Sequence, residues 1–216
     1  MRIILLFTLG LVVSSTVKAD VITTFDSNLE GWTATGGVLA YVNSGGNPGG
    51  FLSLTDNAND YMTVFAPAGL LGNWAQYLGG NLSFDARNLN GSAPDLNTPP
   101  FFGTVTITGI GGTASRVLGD TGQPPADSLW HTYSATLDPA LWSGDLVGAL
   151  SGVTGLGVVL ESNNTVPAES NGFDNFRVTA ITAVPEPSTL ALTIFGFISL
   201  LSRMLTRWGR VQRTSP

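Results

Sequence analysis

Asn81-Leu82-Ser83-Phe84-Asp85 and Thr104-Val105-Thr106-Ile107-Thr108 set the pattern for the middle of this chain. An extended backbone points successive side chains to opposite faces, so Leu82 and Phe84 share one side of a strand, as do Val105 and Ile107. Working outward, short β-rich runs recur at residues 21–25, 38–42, 51–54, 61–65, 114–118, 132–137, 155–160 and 173–181, with Gly, Asn, Asp and Pro clusters between them. One helical turn is predicted near residues 73–77. No strand alternates with a helix-length segment, which argues against a doubly wound parallel sheet and for an all-β, two-sheet antiparallel sandwich. Gly109-Ile110-Gly111-Gly112 lies between two strand runs with no helix behind it, so it reads as a hairpin turn and not as a phosphate loop.

Composition points the same way. Of 216 residues, 27 are Gly and 12 are Pro, a share suited to many turns and poorly suited to a helical bundle. The absence of Cys excludes disulfides, thiol nucleophiles and Cys-ligated zinc, and the single His131 excludes His-rich metal centres. The formal net charge is −6, but between Asp20 and Val184 there are 14 acidic residues and three basic ones, Arg87, Arg116 and Arg177, a balance of −11. Such an acidic middle repels phosphate backbones and argues against nucleic acid as a partner.

The other cations mark the two ends. Met1 and Arg2 precede an 11-residue apolar run, residues 3–13, and Val17-Lys18-Ala19 forms a small-residue site ahead of Asp20. This order is that of a secretory signal peptide, residues 1–19, cut by signal peptidase between Ala19 and Asp20. Residues 187–202 form a second apolar run of 16 uncharged residues. They reach about 24 Å of a hydrocarbon core about 30 Å thick, a span completed by the next residues if Arg203 snorkels. Arg203, Arg207, Arg210 and Arg213 then act as the membrane stop, and the positive-inside tendency keeps them cytoplasmic.

Directly before this transmembrane helix stands Val184-Pro185-Glu186-Pro187-Ser188-Thr189, which its prolines hold extended and accessible. Pro-Glu-Pro, a short apolar helix and an Arg-rich terminus, in this order over residues 184–216, resemble the C-terminal sorting signal of PEP-CTERM proteins. The resemblance implies that Pro185, Glu186 and Pro187 are recognised by an exosortase, a membrane-embedded cysteine transpeptidase or protease of Gram-negative bacteria that make extracellular polysaccharide. It implies transient residence in the inner membrane, then release to the cell surface or matrix. A permanent single-pass anchor is the competing reading. The chain is thereby divided into a signal peptide (1–19), a β-sandwich (20–182) and a sorting signal (183–216).

Within the sandwich, Phe25-Asp26-Ser27-Asn28-Leu29-Glu30-Gly31-Trp32, the Gly-rich stretch through residues 41–88, Leu129-Trp130-His131-Thr132-Tyr133 and Phe173-Asp174-Asn175-Phe176 resemble the laminin IV (laminin B) domain. That resemblance implies a jelly-roll β-sandwich related in shape to carbohydrate-binding modules, structural or adhesive in role and without catalytic machinery. The cysteine-rich repeats that flank it in laminins are absent here. Jelly rolls of the carbohydrate-binding type often hold a structural cation where the first and last strands meet, and the matching positions are Asp26 and Glu30 beside Asp174 and Asn175. Carboxylates gathered in so acidic a domain repel one another, and calcium would neutralise them.

Other side chains carry weaker signals. His131 lies in a predicted strand with no nucleophile-elbow motif near it, and reads as a packed or solvent-facing strand residue. Asp56-Asn57-Ala58-Asn59-Asp60 lacks the alternation and glycine of an EF-hand loop and reads as an inter-strand loop. Trp32 and Trp130 lie in strand-like runs and are expected in the core, whereas Trp74 and Trp142 lie in loop-like segments and are expected to be exposed, where a ring can stack on a sugar. Together these features describe an exported, non-enzymatic protein of adhesion or of exopolysaccharide and biofilm structure. The competing readings are a carbohydrate-binding module and a glycan-active hydrolase; the latter requires a convergent carboxylate pair in a cleft.

Overall fold

The computed structural model describes residues 19–57, 60–91, 102–119, 123–163 and 169–181. The signal segment 1–18, the sorting signal with Pro185, Glu186, Pro187, Arg203, Arg207, Arg210 and Arg213, and Ala58 and Asn59 lie outside them. Among the described residues no helix is long and apolar enough to cross a membrane.

The strands are β1 (Val21–Thr23), β2 (Thr33–Thr35), β3 (Gly37–Val42), β4 (Phe51–Asp56), β5 (Thr63–Phe65), β6 (Asn81–Asn88), β7 (Thr104–Gly109), β8 (Gly112–Val117), β9 (His131–Thr136), β10 (Ser143–Gly144), β11 (Val153–Val159) and β12 (Ser170–Thr179), with one short helix, α1 (Leu146–Leu150). One sheet runs β3-β4-β12-β6-β9, with β1 added to β12, and the other runs β10-β8-β7-β11-β5-β2. All pairings are antiparallel. The fold is thus the two-sheet sandwich that the alternation predicts.

Alternation decides the layers. In β6, Leu82, Phe84 and Ala86 are buried in the space between the sheets, while Ser83, Asp85 and Arg87 take the outer face. Val105 and Ile107 of β7 enter the same core from the opposite sheet. Its centre is aromatic: Trp32 packs at 5.9, 5.1 and 5.2 Å from Phe25, Phe173 and Phe176, and Phe84 stacks on Tyr133 at 5.4 Å. The β7–β8 hairpin closes through Ile110 and Gly111, with Gly109 paired to Gly112. Gly109 is required there because a Cβ would come within 2.0 Å of the Ala149 carbonyl on α1.

Three elements escape the sequence pattern. β2 and β10 have only three and two residues, too few for alternation to register. Helix α1 spans five residues, is capped by Asp145 accepting from the Gly148 N–H at 2.8 Å, and buries Leu146, Ala149 and Leu150. The turn expected near residues 73–77 is a 3-10 turn over Ala75–Tyr77. Buried Tyr77 donates its hydroxyl to the Ala19 carbonyl at 2.7 Å, and the Ala180 N–H reaches Asp20 Oδ1 at 3.4 Å. With Val21 opposite Val178, the first and last described segments run side by side.

Candidate functional site

The outer face of the β3-β4-β12-β6-β9 sheet carries the chemistry. Strand register lines up Gly172 with Arg87, Asp174 with Asp85 and Thr132, and Arg177 with Ser83. At one end of this face the Arg87 guanidinium lies against two rings, 5.0 Å from the centre of Phe51 and 4.9 Å from that of Trp130. The rings meet edge to face at 5.4 Å, and the Trp130 indole N–H donates to the Gly45 carbonyl at 3.0 Å. Gly172 forms the floor: a Cβ there would stand 2.9 Å from Trp130 Cη2 and 3.4 Å from Arg87 Cγ. Beside this stack is a depression of about 290 Å³ lined by Asn47, Ser83, Asp85, Thr132, Asn175 and Arg177.

The acidic side chains of this region are committed to holding the loop over the face. Asp85 Oδ1 accepts from Thr132 Oγ1 at 2.6 Å, and its Oδ2 accepts from Asn47 Nδ2 at 3.0 Å and Asn175 Nδ2 at 2.8 Å. Asp174 accepts the backbone N–H of Asn47 and of Asn175, both at 2.7 Å. Asn175 sits at φ 50° where β12 slips register against β6, and its side-chain amide also donates to the Asn47 carbonyl. Burial pushes the Asp174 carboxyl up to about 6; the Asn47 and Asn175 N–H groups oppose that rise, and the charges of Asp85 and Asp26 add to it.

Of the four residues expected to share a cation, Asp26 and Asp174 are brought into electrostatic contact and the other two are turned elsewhere. Glu30 closes a tight turn on its own loop, accepting the Phe25 N–H at 2.7 Å, and Asn175 is engaged with Asp85. Between Asp26 and Asp174 runs the Gly46–Gly49 turn, closed by a Gly46 N–H to Gly49 carbonyl bond of 2.9 Å. A Cβ on Gly49 would meet Asp26 Oδ1 at 2.6 Å, and one on Gly46 would meet Asp174 Oδ2 at 2.8 Å. Glycine at both positions leaves the two carboxylates facing bare backbone. Among the described residues no group of three acidic or histidine side chains could hold a metal, so any cation here would rest on these two carboxylates and on backbone oxygen.

The tryptophans exchange places relative to expectation. Trp74 and Trp142 are 1% and 6% exposed, with indole N–H groups bonded to the Leu70 and Thr136 carbonyls, so neither offers a ring to a sugar. Their loop-like surroundings hid the fact that these segments fold back onto the core. Trp32 is in the core as expected. Trp130 is not: it precedes β9 on the outer face and is half-buried against Arg87. His131 pairs with Asp127 at 3.0 Å, and the Leu129 N–H together with His131 holds the Asp127 carboxyl below its usual range.

A second polar group lies inside the sandwich. Glu161 is 4% exposed and accepts the Met62 N–H at 2.9 Å. Glu169, 1% exposed, accepts the Ser162 N–H at 2.8 Å, the Ser162 hydroxyl at 3.0 Å and the Asn171 amide at 3.2 Å. Burial pushes Glu169 up to about 7, with the Glu161 charge adding to the rise, and pushes Glu161 up as well.

Phe51, Arg87, Trp130, Asp85, Thr132 and Arg177 are the residues that sequence reasoning missed as a site. The alternation of β6 already assigns Asp85 and Arg87 to the face opposite Leu82 and Phe84. What it does not carry is which strands flank β6, and hence which rings stand beside Arg87.

No family model matches the chain, and no curated protein sequence matches it. Solved structures are similar in fold. An exo-beta-agarase aligns with a TM-score of 0.53 and 15% identity over 76% of this chain, which spans 25% of that chain's length. The CBM22-1 xylan-binding domain of Paenibacillus barcinonensis Xyn10C aligns with a TM-score of 0.50 and 13% identity, covering 79% of this chain and 100% of that domain. The L4b domain of human laminin alpha-2 gives a TM-score of 0.46 at 8% identity over 59% of this chain and 80% of that one. At these identities the first two alignments show a shared β-sandwich fold.

Proposed function

We propose that this chain is an exported, non-enzymatic surface or matrix protein whose jelly-roll sandwich binds an extracellular polysaccharide. The observation that carries the reading is the Phe51–Arg87–Trp130 stack beside a depression lined by amide, hydroxyl and charged groups. Trp130 is half-buried, so part of its ring is open to pack against the C–H face of a sugar, while Phe51 is buried against it; convergent polar groups beside it can fix the sugar's hydroxyls. The sandwich shared with a xylan-binding domain supports the same reading. Asp85 and Asp174, the paired carboxylates of this face, have their oxygens occupied by N–H and O–H donors, which favours binding over acid–base chemistry.

Affinity electrophoresis of residues 20–182 through a panel of polysaccharide gels tests it. At least one gel is expected to retard the wild-type domain, and Trp130→Ala is expected to abolish the retardation while the far-ultraviolet circular dichroism is unchanged. Free migration of the wild type in every gel would leave a purely structural role.

Delivery follows the sorting-signal resemblance. In this reading signal peptidase cuts after Ala19, the helix beyond Pro187 enters the inner membrane, and an exosortase acts at Pro185, Glu186 and Pro187. Mass spectrometry of the surface or extracellular fraction is expected to find a species beginning at Asp20 and lacking Arg203, Arg207, Arg210 and Arg213; a mature species that keeps those arginines is a permanent anchor instead. We also propose a structural calcium ion held by Asp26 and Asp174, where it would neutralise two carboxylates that otherwise repel.

A further inference from the structure

Arg87 is a cation of the outer face with a partly buried guanidinium and no polar partner among the described residues. Its contacts are the Phe51 and Trp130 rings; among the described residues it makes no hydrogen bond and no ion pair, and its Nε is buried without a partner. A guanidinium has five N–H donors in a planar fork, and burying one of them unmatched costs free energy that exposed arginines avoid by turning to water or to an acid. Acids are abundant here, yet none is set against it. Asp85, two residues along the same strand, is tied to Thr132, Asn47 and Asn175, and Asp174 is tied to two backbone N–H groups. The fold therefore withholds its own carboxylates from Arg87 while holding the guanidinium against the Phe51 and Trp130 rings, over the bare backbone of Gly172.

Resting on the reading of this face as a polysaccharide site, we propose that the polysaccharide is acidic, and that Arg87 reads its carboxylate or sulfate ester through a two-pronged hydrogen-bonded ion pair. The fork matches two oxygens of either anion in a way that an ammonium cannot. The ring contacts already restrict the rotamer freedom that binding would otherwise cost, and apolar ring surface beside the guanidinium strengthens the pair. Arg177 extends the same logic: it is an exposed cation lining the neighbouring depression, opposite Ser83 and about 13 Å further along β6 from Arg87. In a domain with a balance of −11, attraction of an acidic chain must be local, made by these two arginines and screened by salt within about 10 Å.

Gels containing polygalacturonate, dextran sulfate or uncharged dextran separate the possibilities. Retardation is expected in one or both acidic gels and not in dextran. Polygalacturonate alone identifies a uronate ligand, dextran sulfate alone a sulfate ester. The retardation is expected to weaken at least tenfold as sodium chloride rises from about 0.05 M to about 0.5 M, to fall about tenfold in Arg87→Lys, which keeps the charge and loses the fork, and to vanish in Arg87→Gln. Should either variant fail to fold, the salt dependence of the wild type and its competition by free galacturonate against free galactose decide instead. Binding to dextran or another neutral glycan that ignores salt, galacturonate and Arg87 would overturn this inference and leave polysaccharide binding standing. Failure to bind any acidic or neutral gel overturns both.

Discussion

Stability of the domain is expected to fall as pH rises from 5 to 8, and Glu169→Gln is expected to remove most of that fall. Glu169 lies between the sheets, 1% exposed, with its carboxyl pushed up to about 7. In the unfolded chain the same carboxyl titrates near 4.3. Below that value both states hold the proton, and pH has no effect through this group. Between the two values the folded state keeps a proton that the unfolded state has lost, so each rise in pH favours unfolding. Above about 7 the whole effect is present, about 4 kcal/mol for a carboxyl displaced this far. Glutamine is neutral throughout, can accept from the Ser162 N–H with its oxygen, and can direct its amide to the Ser162 hydroxyl. Urea unfolding at pH 5 and at pH 8 measures both chains. The same loss of stability in wild type and Glu169→Gln would rule Glu169 out as its source. A smaller slope is expected to survive in the variant, because Glu161 and Asp174 are raised too.

Calcium is expected to reverse the part of that slope that Asp174 contributes. Asp174 is fully buried and lies within electrostatic reach of Asp85 and Asp26, so in the absence of a cation its ionisation destabilises the fold. An ion bound by Asp26 and Asp174 in the folded state alone stabilises it by mass action, about 2.7 kcal/mol at a concentration a hundred times the dissociation constant. Calorimetric melting at pH 7.5 is expected to show a higher transition in millimolar calcium than in chelator, and Asp174→Asn is expected to melt alike in both. The direction of the acid response differs as well: protonating Asp174 relieves repulsion in the chelated protein and expels the ion from the loaded one. An unchanged wild-type transition on chelation would sink the calcium proposal.

How far the sequence reaches is visible strand by strand. Leu82, Phe84, Val105 and Ile107 declare their faces because a strand has a period of two and one face is apolar, and all four enter the core. The turn glycines of the β7–β8 hairpin are equally legible. Short elements are not, since β2, β10 and α1 gain their stability from neighbours and not from a pattern of their own. The site depends on neighbours still more. Asp26 and Asp174 are far apart in the chain, and what brings them near each other is the pairing of the first and last described segments and the loop over the sheet, not any local spacing. Glu30 carries the same motif, yet its carboxylate is captured by the Phe25 N–H within its own turn. Trp130 lies in a strand-like run and Trp74 and Trp142 in loop-like ones, yet the packing of loops onto the sheets buries the latter two and leaves Trp130 half-buried against Arg87.

By itself, then, the sequence determined the all-β class, the inward faces of the long strands, the acidic character of the domain and the apolar, cation-flanked composition of its ends. These are properties of composition and of the two-residue period, and they need no knowledge of which strands are neighbours. Tertiary structure decided that β12 lies between β4 and β6, and so brought Phe51, Gly172, Arg87 and Trp130 together on one surface. The physical reason is that a strand's pattern fixes which way a side chain points, while its partners across the sheet are fixed by how two whole sheets close over a shared core.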